Sequence, residues 1–112
     1  MITKKQILVF KKSADTLYND KDYTSATILY FKTLFAMQDF LLLNKYGESP
    51  KDHTIRFRQL EAHFPDLFKQ LDIEFSTYRD TYSKIIDKNT CDRIKKIVEN
   101  DMEQYNIKEE NK

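Results

Sequence analysis

Between Tyr23 and Gly47 the chain reads YTSATILYFKTLFAMQDFLLLNKYG. Ala26, Leu29, Tyr30, Thr33, Met37, Phe40, Leu41 and Asn44 recur at spacings of three and four. Ile28, Phe31, Phe35 and Leu42 occupy much of the remaining circumference, so the stretch predicts a helix that is apolar on more than one side. A helix of that kind needs neighbours on several faces, which makes it the central element of a helical bundle. Lys32, Gln38 and Asp39 interrupt it, and its polar flanks carry no anchoring pattern, which argues against a membrane span.

The other elements follow in register. Ile7, Phe10, Ala14, Leu17 and Tyr18 form one apolar stripe and predict a first helix over about Lys4 to Asn19. The short polar link Asn19-Asp20-Lys21-Asp22 suits an antiparallel hairpin, with Asp22 or Thr24 capping the next helix. Lys45 and Gly47 are the stop signal, because glycine accepts a left-handed backbone without penalty. Asp52 is the expected N-cap of a shorter third helix in which Ile55, Leu60 and Phe64 share a side and Arg56 and Arg58 lie elsewhere. Pro65 closes that helix and opens a fourth, expected to run to Ile86 on a seam of Leu67, Phe68, Leu71, Phe75, Tyr78, Tyr82, Ile85 and Ile86. Asn89 or Thr90 caps a fifth helix, whose buried stripe is Ile94, Ile97, Val98, Met102 and Tyr105; KEENK from Lys108 onward reads as a frayed tail. The expected fold is all-α: one domain, an up-and-down bundle of four long helices and one short one.

Composition narrows the functional classes. Nineteen Lys and Arg balance eighteen Asp and Glu, so no global field draws the chain to polyanions, and any such site must be a local patch. Glycine occurs once, which excludes a glycine-rich phosphate loop. Cys91 is the only cysteine, so there is no internal disulfide, and a reducing compartment is expected. The run MITKKQILVFKKSAD breaks at Lys11 and Lys12, too early for a secretory leader, and the expected location is the cytoplasm.

Each chemical reading competes with a plainer one. His53 and His63 are ten residues apart and Cys91 is distant, so no metal site and no cofactor is expected. Cys91, at the start of a helix, lacks a paired base and reads as a small half-buried residue. The Tyr and Phe residues fall at helical spacing and read mainly as core. The segment Tyr78-Arg79-Asp80-Thr81-Tyr82-Ser83-Lys84 places Arg79, Asp80, Ser83 and Lys84 beside the seam. Asp80 and Lys84 have the spacing and order of a helical ion pair. Lys51, His53, Arg56 and Arg58 are the densest local basic group.

The order of these parts resembles the HEPN superfamily (higher eukaryotes and prokaryotes nucleotide-binding domain). The resemblance rests on DYTSATILYFKTLFAMQDFLLLNKYG, the loop ESPKDHT and the Arg-containing YRDTY, and it spans about Lys4 to Tyr105. It implies a compact helical bundle that dimerises, with a ribonuclease motif of arginine, a polar residue and then histidine. Arg79 and Asp80 match the first two positions, but Lys84, Ile85 and Ile86 stand where the histidine would fall. A histidine titrates near neutral pH and shuttles protons, whereas a lysine with an ordinary pKa of about 10.4 stays charged.

The resemblance therefore implies the histidine-lacking, non-nuclease type, a binding or partner module encoded beside a small nucleotidyltransferase. In that type Arg79 with Tyr82 matches the retained pattern, and His53 after Pro50 matches a hydrogen-bonding histidine at the start of the third helix. The expected protein is a non-catalytic homodimer that engages nucleotide, RNA or the nucleotidyltransferase through Arg79, Asp80, Lys84, His53 and Arg56. One alternative is a divergent ribonuclease of the toxin–antitoxin kind using Arg79, Asp80 and Lys84; another is a purely structural helical interaction domain.

Overall fold

The computed structural model describes residues 2–108 and is an all-helical bundle. Its described residues form five helices: α1 (Lys4–Asn19), α2 (Tyr23–Tyr46), α3 (His53–His63), α4 (Pro65–Asp80) and α5 (Lys88–Gln104). The frayed-tail expectation falls mostly on 109–112, outside the described residues.

α2 is the hub, packed along α1 and α5 and touching α3, while α4 pairs with α3. Ala26, Thr27, Tyr30, Phe31, Thr33, Leu34, Ala36, Met37, Gln38 and Leu42 are all buried, which places buried positions around most of its circumference. By length and composition α2 could cross a membrane, but 61% of its most apolar window is buried against the rest of the bundle. Its buried threonines satisfy their hydroxyls locally: Thr27 Oγ1 donates to the Tyr23 carbonyl at 2.7 Å and Thr33 Oγ1 to Leu29 at 2.8 Å. α1 starts on a capping box that the apolar stripe does not announce. The Thr3 side chain accepts from Gln6 N–H and the Gln6 side chain accepts from Thr3 N–H, the reciprocal pairing of a T-x-x-Q start.

α2 is capped by Asp22, the first of the two expected residues, whose carboxylate accepts from Ser25 N–H at 3.2 Å. It ends where the sequence puts its stop. Gly47 has φ +86° and its N–H donates to the Leu43 carbonyl. A Cβ at Gly47 would meet nothing within 4 Å, so only the backbone resists substitution. Gly47→Ala is therefore expected to cost about 1 kcal/mol and Gly47→Asn less, in urea unfolding with an unchanged m-value. Equal costs for the two would show that something other than the left-handed backbone sets the penalty.

Two clusters make up the core. The larger unites Ile7 and Ala14 of α1, the middle of α2, and Cys91, Ile94 and Val98 of α5. The smaller joins Leu42 to Leu60, Leu67 and Leu71, with Phe57, Phe64, Phe68 and Phe75 around them. Phe35, Leu41 and Tyr105 border both.

Three sequence expectations are corrected. α4 stops at Asp80, not Ile86. Thr81 Oγ1 donates to the Tyr78 carbonyl at 2.6 Å, and the N–H groups of Tyr82 and Ser83 turn back three residues to Arg79 and Asp80. The Ile86 N–H goes instead to Thr24 Oγ1 on α2 at 2.8 Å. Consequently Tyr82 and Ile85 leave the seam and stand 76% and 95% exposed, while Ile86 is buried from a loop. The second correction is the cap of α5: Asp87 accepts from Thr90 N–H at 2.8 Å, so neither Asn89 nor Thr90 serves. The third is Arg56, which is buried rather than turned away from the core.

Candidate functional site

Asp52 starts α3 by accepting from Ile55 N–H at 2.8 Å, and this fixes His53 at the first helical position and Arg56 one turn on. Both side chains face α2. Arg56 is 6% exposed; its Nη1 donates to the Asp39 carboxylate at 2.7 Å, to the Phe35 carbonyl at 3.2 Å and to Gln38 Oε1 at 3.4 Å. Its Nε donates to His53 Nδ1 at 3.3 Å. One guanidinium thus ties the start of α3 to three acceptors within about one turn of α2, and it also lies over the Phe35 ring.

The His53 ring is enclosed by Phe35, Phe75 and Tyr78, with centroids 4.7, 5.3 and 5.6 Å away. Burial in that aromatic cage, and then the adjacent Arg56 charge, lower its pKa below the usual histidine value. A neutral imidazole accepting from Arg56 through Nδ1 is the state this surrounding favours.

From the cage the aromatic path continues outward. Tyr78 packs on Phe31 and Phe35 and shares a 2.6 Å hydrogen bond with Tyr82, one turn along. Burial, reinforced by that bond, pushes the Tyr78 phenol up to about 12. Ile28, Lys32, Phe35, Tyr78, Thr81 and Tyr82 line a cleft of about 190 Å³ between α2 and the end of α4. Arg79 sits at the exposed side of α4 with its guanidinium 6.0 Å from the Phe75 ring centre. Lys84, beyond the helix, holds Asp80 at 3.3 Å. That pair has the expected spacing, but it spans the helix end.

The sequence-proposed residues thus fall into two groups. His53 and Arg56 form an interior hydrogen-bonded unit, whereas Arg79, Asp80 and Lys84 lie at the surface where α4 gives way to the loop. Phe75 links them, meeting the His53 ring edge-to-face and lying under Arg79. Asp39 is the member that sequence reading missed. In the sequence it stands as a break in an apolar run, and a charge inside such a run is itself the signal of a partner elsewhere. A second, larger groove of about 690 Å³ lies on α1 among Lys4, Lys5, Lys11, Lys12 and Lys108, away from this cluster. Lys11 is engaged there by Asp15 and by Glu99 of α5.

Cys91 is fully buried, deeper than expected, and burial raises its thiol pKa, the opposite of an activated nucleophile. No group of three or more His, Cys, Asp and Glu side chains converges among the described residues. No family model, curated protein or solved structure matches the chain.

Proposed function

We propose that the protein is a HEPN-type module of the non-nuclease kind, a homodimer that binds nucleotide or RNA and works beside a small nucleotidyltransferase. The observation that carries this reading is the division of labour around Phe75. The one histidine near the motif, His53, is caged by three rings with Nδ1 already engaged, so it is a poor proton shuttle. The groups left facing solvent are Arg79, Lys84 and the phenol ring of Tyr82. Cations beside an exposed aromatic ring suit a phosphate and a base, and they ask for no chemistry. The Lys84 ammonium is engaged by Asp80, which makes it a weak candidate for the proton transfers that a ribonuclease would need.

The test is incubation with labelled mixed RNA and with nucleotides, following retention and cleavage together. Intact RNA, retained in a salt-dependent manner, is expected. Arg79→Ala is expected to weaken retention and to reduce the slope of log affinity against log salt by about one. Cleavage lost in Lys84→Ala would replace this reading with the ribonuclease, and retention indifferent to Arg79→Ala would remove the Arg79 surface from it.

A further inference from the structure

The larger groove follows α1, and its lining repeats with the helix. Lys4, Leu8, Lys11 and Asp15 fall three or four residues apart and form a half-buried floor, while Lys5, Val9 and Lys12 form an exposed lip beside it. Lys108, from beyond α5, completes the lining. Lys4 Nζ donates to the Asn106 carbonyl at 3.4 Å, so one end of the groove joins the start of α1 to the chain that leaves α5. Both columns carry the same order along the helix: a lysine, an aliphatic residue, a second lysine. Val9, in the middle of the lip, is 54% exposed.

Five lysines and one aspartate line this groove, in a chain whose formal net charge is only +1. Asp15 is already engaged by Lys11 and by the Tyr30 hydroxyl, each at 2.6 Å, and Lys11 also meets Glu99. Among the described residues Lys5, Lys12 and Lys108 enter no ion pair. From Lys4 to Asp15 the helix rises about 16 Å, so about 690 Å³ spreads to a section of about 40 Å², roughly half that of a helix about 10 Å across. A helix laid there has one face in the groove and the other in solvent.

The alternation of charge and aliphatic surface selects the occupant. A phosphate backbone would use the lysines and gain nothing from Leu8 and Val9. A second copy of the same groove would set lysines against lysines. We propose that the α1 groove seats an acidic amphipathic helix of a partner protein, with carboxylate pairs about 10 Å apart on either side of large aliphatic side chains, the repeat of the lysines that face them. The site shares no residue with the Arg79 surface and does not depend on the binding assigned there.

The probe is a fluorescein-labelled, alanine-rich peptide containing EEAALLAEE, which copies the spacing of the two lysine pairs and of Leu8 and Val9. Fluorescence anisotropy should show saturable binding, at least about tenfold tighter than that of the same peptide with glutamine for glutamate or with serine for leucine. Lys5→Glu combined with Lys12→Glu should weaken binding at least about tenfold, and Val9→Ser, which takes one aliphatic side chain from the contact, by about tenfold. All three positions are exposed, so the helical circular-dichroism signal should not change. No saturable binding, or binding indifferent to the lysine reversal, overturns the proposal. Binding that ignores Val9→Ser, or a peptide that mixed RNA displaces, makes the groove a general polyanion surface and overturns it as well. Binding that appears only when residues 109–112 are removed makes the chain's own Glu109 and Glu110 the occupant, and the partner helix falls. RNA retention that depends on Arg79 is read separately, so neither result decides the other.

Discussion

Arg56→Ala is expected to destabilise the protein by about 3 kcal/mol, the largest loss that any single side chain at the candidate site would cause. The reason is what the substitution leaves behind. Asp39, Gln38 and the Phe35 carbonyl all accept from one buried Nη1, so truncation leaves three acceptors at a helix interface without their donor. The companion Asp39→Ala leaves the buried guanidinium without its carboxylate, but it is expected to cost somewhat less because Gln38, the Phe35 carbonyl and the Phe35 ring still hold that group. Arg56→Lys should not rescue, since an ammonium cannot serve His53 and three α2 acceptors from one plane. Chemical denaturation of the three variants checks the order. If Arg56→Ala falls within 1 kcal/mol of the unmodified protein, the guanidinium is not holding α3 on α2, by the usual size of such losses.

The second large effect is a gain. Asp101 of α5 is buried, and among the described residues its carboxylate accepts a side-chain hydrogen bond only from Gln70 of α4, whose Nε2 donates to it at 3.0 Å. Burial raises its pKa to about 6, well above the usual carboxylate value, against a smaller opposing effect of that hydrogen bond. Because the folded pKa lies above the unfolded one, the folded protein binds the proton more tightly. The stability this provides is complete below about pH 4 and is lost as pH rises through 6. Above that, the carboxylate costs about 2–3 kcal/mol, the free-energy equivalent of the shift.

Asp101→Asn removes that cost. It also supplies an N–H able to meet Gln70 Oε1, which is buried without a partner. The variant should be more stable than the unmodified protein at pH 8 by about the same 2–3 kcal/mol, and equal to it near pH 4. A gain that does not shrink on acidification would place its source in packing rather than in the charge.

What could be read from the sequence and what could not divide along physical lines. The limits of α1, the Gly47 stop and the Asp52 and Pro65 boundaries were legible, because caps, glycine and proline act on their own neighbours. The overrun of α4 had a definite cause. Tyr78, Tyr82, Ile85 and Ile86 keep helical spacing, and nothing local reveals that Thr81 will take the Tyr78 carbonyl or that Ile86 will donate to Thr24 sixty-two residues away. The same holds at the candidate site. His53, Arg56, Arg79, Asp80 and Lys84 could be named from order and spacing, but not their separation into an interior unit and a surface group. That separation depends on Asp39, and the pairing of Arg56 with Asp39 crosses from one helix to another.

The partition of the core into two clusters bears on how the molecule comes apart. α1, α2 and α5 share one set of buried side chains, and α3 with α4 closes over Leu42 at the other. The α3–α4 hairpin is joined by Phe64 alone; it is held to α2 by Arg56 and Leu42 and to α5 by the polar contacts of Glu74 and Gln70. It is thus a unit with its own small core, set against a three-helix frame. Arg79 rides on that hairpin, whereas Thr24 ties the Ile86 N–H to the frame, so an opening of the hairpin would carry the cation with it while the loop after Ser83 stayed on α2.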